Sequence, residues 1–305
     1  MKTIKNKLAH LSIIFMAAIL FFSCTLESST EIKDTLTVQN KESQSKAWGV
    51  PDGTVCEYNF YEGLDCTGYA INVLMIRESD NSFRLVIDHK ISLSDLSIGP
   101  ESWDNRINSI ELISHGEYPI AYVFADPDCW GGNGRVIKIE AQTTNIPAGF
   151  GISAILPVIP DRYATKKEVA IQVMDASGQY QYLCAESETD RPIKANRTAV
   201  GLWEKFELSY IDIDKRFFTL KARANDSYVC SDLNYSVNNG PLYANRNSVD
   251  YWEIFRIGST FYETNTLQIV ILSALSNARY LQNYGANYPI GSYVNASSYF
   301  YINTL

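Results

Sequence analysis

The sequence predicts an all-β protein with two folded units, an antiparallel sandwich followed by a threefold barrel. Short stretches of alternating apolar and polar residues, separated by turns, recur along the chain, as at 55–60 and 69–73. The triplet Ala-Asn-Arg is followed at one fixed distance by Trp-Glu-x-Phe, once from Ala195 and again 49 residues later from Ala244, which indicates an internal repeat. The 305 residues, of which 46% are hydrophobic, are enough for two cores.

The N-terminus has the features of an export signal. Three lysines precede an apolar run from Leu11 to Phe22, which is shorter than the about 20 residues of a membrane-spanning helix. The run ends at Ser23-Cys24, which resembles the lipobox of bacterial lipoproteins, where the cysteine becomes the lipidated N-terminus. We therefore expect residues 1–24 to be a lipoprotein signal peptide and Cys24 to be the lipidation site, which anchors the protein at the outer membrane or cell surface. A plain secretory signal with an incidental cysteine is the alternative.

The composition of the chain indicates a tether at residues 25–49 and limits the kinds of partner. This segment is rich in polar residues and has little apolar periodicity, which predicts a flexible tether. The net charge of -8 argues against a nucleic-acid partner. The 20 tyrosines suit both strand positions and recognition surfaces.

The first folded unit, residues 50–157, divides into two similar halves. Each half has a hairpin with a cysteine-containing turn and a further closing strand, at 55–60, 69–73 and 108–112 and again at 120–124, 136–139 and 152–156. We expect each half to be a unit of four strands that includes these three, and two such units make an antiparallel sandwich.

The segment Trp103-Asp104-Asn105-Arg106-Ile107-Asn108-Ser109 resembles the βγ-crystallin calcium motif. In that family, two Asp/Asn, two variable residues, Ser/Thr and Ser precede a strand, and the Ser/Thr of a partner motif completes each site. The partner segment keeps Ser153 but lacks both Asp/Asn, and Asn108 replaces the expected Ser/Thr.

The resemblance therefore implies at most one weak calcium site in a βγ-crystallin-like Greek-key domain. Its ligands would be Asp104, Asn105, the carbonyl of Arg106, and Ser153. A single carboxylate implies a Kd of about 10⁻⁴ to 10⁻³ M. The alternative is that the Asp and Asn side chains only cap a turn.

The cysteines of the two units carry different expectations. Three lie in the first unit, and the sequence leaves open a Cys56–Cys66 disulfide, a Cys66–Cys129 disulfide and no disulfide. Cys184 and Cys230 occupy equivalent places in the second unit. We expect these two to be reduced and to fill small buried spaces.

The second unit, residues 161–305, follows Pro157 and Pro160 and contains three repeats of about 45–50 residues. Each repeat has four short strands, and three such repeats close into a barrel with a hairpin cap, a β-trefoil. The motifs of the first two repeats resemble those of the fascin-like branch of that fold. The third repeat lacks both Ala-Asn-Arg and Trp-Glu.

The repeated residues are expected to be structural. One side chain from each repeat should form a core layer: Phe206, Phe255 and Phe300. The two tryptophans should pack beneath the turns, with each repeat's arginine near its glutamate: Trp203 and Trp252, Arg197 with Glu204, and Arg246 with Glu253. The other interpretation of the tryptophans is a pair of sugar-stacking platforms.

Two turns that differ between the repeats combine amides with tyrosines, at 234–239 and 283–288. Tyrosine can stack on sugar faces while asparagine bonds to hydroxyls, so the predicted ligand-binding residues are Tyr235, Asn238, Tyr284 and Asn287. The alternative is that these residues simply form turns and hairpin rims.

The sequence offers no nucleophile elbow, phosphate-binding glycine loop or zinc-protease motif. We therefore expect a non-catalytic binding module that recognises a glycan through the trefoil. The alternatives are a protein-binding adhesin or inhibitor, with a surface protein as partner, and a glycan-cleaving enzyme that uses paired carboxylates.

Overall fold

The computed structural model describes residues 51–66, 70–87, 106–125, 136–140, 143–187, 190–212, 214–232, 240–276, 278–293 and 297–305. Across these ranges the fold is all-β, with twenty strands and two single-turn 3-10 helices at Asp161–Tyr163 and Tyr251–Glu253. Within the same ranges, no helix has the length and apolar character needed to cross a membrane. The predicted signal peptide and tether lie outside the described residues.

Two antiparallel sheets form the described part of the first unit. Its strands are β1 (Thr54–Tyr61), β2 (Ala70–Arg77), β3 (Phe83–Ile87), β4 (Ser109–Ser114), β5 (Ala121–Phe124), β6 (Val136–Ile139), β7 (Thr143–Asn145) and β8 (Ala154–Pro157). One sheet has the order β3-β2-β1-β4-β7 and the other β6-β5-β8. Strand β7 thus leaves its sequence neighbours and pairs with β4, where Asn145 lies opposite Ser109. The pairing of β7 with β4 links the second half of the unit to the first by backbone hydrogen bonds.

The core of the first unit follows the strand period of two. On β1, the side chains of Cys56, Tyr58 and Phe60 are fully buried, while Glu57 and Tyr61 point to the other face. Residues of β4 and β5 complete the same cluster. Each fully buried aromatic or aliphatic side chain contributes about 1.5–3 kcal/mol.

Twelve strands form the described part of the second unit. They are β9 (Thr165–Met174), β10 (Tyr180–Ala185), β11 (Ile193–Arg197), β12 (Lys205–Tyr210), β13 (Phe217–Ala222), β14 (Ser227–Ser231), β15 (Gly240–Arg246), β16 (Ile254–Glu263), β17 (Leu267–Ala274), β18 (Arg279–Gln282), β19 (Gly291–Tyr293) and β20 (Tyr299–Thr304).

Six of these strands close into a ring in the order β9-β12-β13-β16-β17-β20, and β20 returns to β9. The other six form the hairpins β10–β11, β14–β15 and β18–β19. A longer barrel of nine strands runs through two of these hairpins. Each successive group of four strands therefore supplies two ring strands and one hairpin.

The ring encloses one apolar core. Phe206, Phe255 and Phe300 are at most 1% exposed and belong to a single cluster of buried residues. The prediction that the repeated phenylalanines form core is confirmed.

A third apolar cluster joins the two units. Tyr122, Phe124 and Leu156 of the first unit belong to it together with Phe217 and Ile254 of the second. Residues 45–305 accordingly form one compact unit. We call this junction the seam.

Candidate functional site

The Ala-Asn-Arg triplet places an arginine between two buried carboxylates. In the first repeat, the guanidinium of Arg197 lies 3.1 Å from a carboxylate oxygen of Glu186 and 3.8 Å from one of Glu204. Asn196 donates to Glu186 at 2.6 Å, and the backbone N–H of Gly201 donates to Glu204 at 2.7 Å. We call this arrangement the carboxylate clamp.

The second repeat builds the same clamp from different residues. Arg246 lies 3.1 Å from Asp232 and 3.7 Å from Glu253, and the backbone N–H of Asp250 donates to Glu253 at 2.7 Å. Burial raises the pKa of Glu253 to about 7, against the opposing effects of the Asp250 N–H and the Arg246 charge. The prediction that each arginine lies near its glutamate is confirmed. The repeated motif therefore has a structural role.

The two tryptophans behave differently from each other. Trp252 is half-buried, and the guanidinium of Arg246 lies 5.7 Å from its ring centre. Trp203 is 37% exposed. The indole of Trp203 is therefore less covered than the prediction of a packed indole requires, although both tryptophans lie just before a ring strand.

The third repeat carries no charge at the clamp positions. In its hairpin, Tyr293 of β19 pairs with β18 at the register position at which the clamp arginines pair with β10 and β14. Tyr284 lies four residues after Tyr280, at the spacing of the first clamp carboxylate in the other two repeats. Ser298 lies two residues before Phe300, at the spacing of the second clamp carboxylate. The predicted site residue Tyr284 is thus the point at which the third repeat departs from the other two.

The predicted turn that contains Tyr284 is accessible. Tyr284 is exposed and donates its hydroxyl to the side-chain oxygen of Gln282 at 2.6 Å, and Asn287 is exposed on the same turn. The amide of Asn283 donates to the carbonyl of Met174 at 3.4 Å, which fixes the turn beside the end of β9. The other predicted turn residues, Tyr235 and Asn238, lie outside the described residues.

Beside this turn, neighbouring strands present aromatic side chains on the outside of the ring. Because Phe300 and Ile302 point into the core, the alternate residues of β20 point outward. Outward residues lie in register from strand to strand: Tyr182, Gln172, Tyr301, Ile269 and Tyr262. We define the aromatic band as Met174, Tyr180, Tyr182, Phe261, Tyr262, Tyr299 and Tyr301.

The rings of the aromatic band are held edge to face. Tyr180 and Tyr301 have centroids 4.8 Å apart at 82°, with hydroxyl oxygens 3.3 Å apart, and Phe261 and Tyr299 lie 5.0 Å apart at 82°. Tyr180, Phe261 and Tyr299 are between 44% and 57% exposed. A contiguous exposed apolar surface of this kind marks a binding site more often than isolated exposed residues do.

Sequence reasoning missed the aromatic band, although a signal for it exists. Tyr180 and Tyr182 flank one residue of β10, and Tyr299 and Tyr301 flank the buried Phe300. A Tyr-x-Tyr pattern on a strand places both tyrosines on the same face, which is the outer face when the alternate residues are buried. This signal is weak because the tyrosines come from two segments that are far apart in the sequence.

The predicted calcium ligands are only partly described. Asp104 and Asn105 lie outside the described residues. The Arg106 carbonyl accepts a hydrogen bond from the amide of Asn108 at 3.2 Å, and Ser153 is buried. In the described part of the chain, no group of three or more His, Cys, Asp or Glu is placed to hold a metal ion.

The cysteines bear out part of the prediction. Cys56, Cys184 and Cys230 are buried free thiols, and burial raises their pKa to about 11, about 12 and about 12. The expectation that the two repeat cysteines are buried is confirmed, and Cys56 and Cys66 are both free thiols in this structure. Cys129 and the predicted lipidation site Cys24 lie outside the described residues.

Comparison with protein-family models and with curated proteins finds no match to this chain.

Proposed function

We propose that the protein is a non-catalytic, exported lipoprotein that binds a glycan through its second unit. The observation that carries this proposal is the aromatic band beside the Tyr284 turn. The exposed tyrosine rings give flat apolar faces for sugar rings, and their hydroxyls can bond to sugar hydroxyls. A largely pre-formed surface also limits the ordering cost of binding.

The chemistry of the aromatic band favours a neutral sugar. Its members carry no charge, their polar side-chain groups are hydroxyls, and side-chain amides lie beside them. Asn303 donates to the side-chain oxygen of Gln172 at 3.3 Å, next to Tyr301 in the same outward row. An acidic glycan would find no basic partner among these groups, whereas a neutral glycan needs none.

The fold proposal is a βγ-crystallin-like Greek-key domain followed by a fascin-like β-trefoil. The exchange of β7 into the sheet of β4 supports the first assignment, since it links two four-strand halves. The closed ring of six strands with three hairpins supports the second. We further propose that the first unit holds at most one weak calcium ion, bound by Asp104, Asn105, the Arg106 carbonyl and Ser153.

Glycan binding is tested by screening the purified chain on an array of neutral and acidic glycans and measuring the affinity of any hit. The double variant Tyr180→Ala/Tyr299→Ala should weaken binding about tenfold or more, because each lost aromatic contact costs about 0.5–1.5 kcal/mol. Leu202→Ala removes an exposed apolar side chain outside the aromatic band and should bind as the wild type does.

Three outcomes would contradict the proposal. Silence on the array together with a stable protein partner would favour an adhesin or inhibitor, because an exposed aromatic surface also suits protein contacts. Glycan binding that the double variant retains would place the site elsewhere. Release of reducing ends from polysaccharides by the pure protein would make it an enzyme.

A further inference from the structure

A cavity of about 340 Å³ lies at the seam. Ile120 and Tyr122 of the first unit, Val158 of the linking segment, and Ile211 and Ile254 of the second unit line it. This volume falls within the about 300–1,000 Å³ of small-molecule sites, which occur preferentially where two domains meet.

Tyr122 supplies a hydrogen-bond donor inside this cavity. The residue is only 2% exposed, and its hydroxyl makes no hydrogen bond to any of the described residues. The hydroxyl oxygen is not sealed from solvent, so it can donate a hydrogen bond to a molecule that enters the cavity. Burial and the carboxylates of Asp250, Glu253 and Glu140 raise the pKa of Tyr122, so its hydroxyl keeps its proton.

A second hydroxyl enters the cavity from the second unit. Thr219 is 3% exposed and lines the cavity, and its side chain has no hydrogen-bond partner within the described ranges. Two hydroxyl-bearing residues, one from each unit, therefore line an otherwise mostly apolar space.

The charged groups at the cavity are already paired, including Asp161, whose carboxylate lies 3.0 Å from the ammonium of Lys166. The ammonium of Lys138 lies 3.0 Å from a carboxylate oxygen of Glu140 and 3.3 Å from the carbonyl of Val249. Glu117 forms an ion pair with Arg162. A charged ligand would have to break one of these pairs, which disfavours it.

We propose that the cavity binds a small uncharged molecule that has an apolar ring and an oxygen acceptor. The ring lies against the isoleucine side chains, and the oxygen accepts a hydrogen bond from Tyr122. This site is separate from the aromatic band, and its ligand differs in class from a glycan.

The test compares two probes by ligand-observed NMR titration of the full chain. Acetophenone has a ring and a carbonyl, and ethylbenzene has the ring alone. Both should bind saturably in the millimolar range or tighter. Tyr122→Phe should weaken acetophenone about twofold to tenfold, in line with the about 0.5–1.5 kcal/mol of a neutral hydrogen bond, and leave ethylbenzene unchanged.

Filling and control variants complete the test. Ala164→Trp and Val249→Trp place an indole in the cavity from two sides and should abolish binding of both probes, with thermal melting showing which variants are folded. Tyr210→Phe is the control, since Tyr210 is equally buried but its hydroxyl bonds to Gln268 at 3.3 Å outside the cavity. The proposal fails if neither probe saturates, if Tyr122→Phe binds acetophenone as the wild type does, or if a folded filling variant still binds.

Discussion

Glu253 shows how burial sets the chemistry of a single residue. It is 3% exposed and belongs both to the second carboxylate clamp and to the capped 3-10 helix at Tyr251–Glu253. Asp250 caps that helix, and its backbone N–H and Arg246 both favour the ionised form of Glu253, yet burial outweighs them. A carboxylate in this position binds a proton near neutral pH.

This burial makes stability depend on pH. The folded-state pKa of Glu253 is raised from 4.5 to about 7, so the folded state binds more protons than the unfolded state in that window. The stabilisation by this proton is complete below pH 4.5 and is lost as the pH rises through about 7. The free energy of unfolding then falls by at most about 3 kcal/mol.

Urea unfolding at about pH 5 and about pH 8 tests this dependence. The wild type should lose more stability between the two than Glu253→Gln, whose amide does not titrate. Glu78→Gln, at an exposed carboxylate, should keep the wild-type dependence. Identical slopes in the wild type and Glu253→Gln would mean that Glu253 does not titrate in this range.

Among single residues, sequence reasoning identified the core phenylalanines but not the surface aromatics. Phe206, Phe255 and Phe300 occupy one place in each repeat, and a ring built from three equal parts needs the same apolar side chain there. Trp203 has an equally constant spacing and is exposed. Spacing fixes position within a repeat, whereas burial also depends on what packs over that position.

At the level of elements, β4 holds the turn between β1 and β2. Ser109 is fully buried, donates its hydroxyl to the Gly63 carbonyl at 2.6 Å and accepts from the Cys66 N–H at 3.0 Å. The neighbouring Asn108 donates its amide to the carbonyls of Arg106 and Glu62. The described residues of the segment that resembles the calcium motif therefore stabilise the neighbouring turns by hydrogen bonds.

Calcium binding by the turn before β4 has a direct test. With one weak site, calcium at about ten times Kd should stabilise the folded chain by about 1.4 kcal/mol. Thermal melting of the full chain should therefore show a higher midpoint in millimolar calcium, and Asp104→Ala should remove the rise. Asp52→Ala, at another aspartate of the same unit, should keep it. A midpoint that does not respond to calcium would leave Asp104 and Asn105 as turn caps.

Six of the eight strands of the first unit were predicted closely, but β3 and β7 were not located. The predicted strands at 120–124 and 136–139 are observed at Ala121–Phe124 and Val136–Ile139. The three-residue strand β7 is too short to show an alternation, and its pairing with β4 joins residues distant in sequence. Local patterns define strands, whereas such pairings depend on the packing of the whole unit.

On the scale of the whole molecule, the linking segment is part of the packed structure. Its prolines predicted a short stiff connection between two separate cores. Instead, Ile159 is buried and its backbone N–H donates to the carbonyl of Ile211 at 2.9 Å, while Val158 donates to Ile120 at 3.0 Å. The sequence contains the apolar residues of the seam, but nothing local distinguishes them from residues of either core.

The predicted lipid anchor concerns the whole chain, because it would hold a glycan-binding surface at the cell exterior. Two or three acyl chains suffice for stable attachment where one is marginal, so the wild type should sediment with membranes. Cys24→Ala should remain soluble or unprocessed and carry no label from an alkyne-tagged fatty acid, whereas Cys66→Ala should be labelled as the wild type is. The released variant should bind the glycan with unchanged affinity, since the aromatic band lies in residues 174–301. Fatty-acid label on Cys24→Ala, or wild type found only in the soluble fraction, would disprove the anchor.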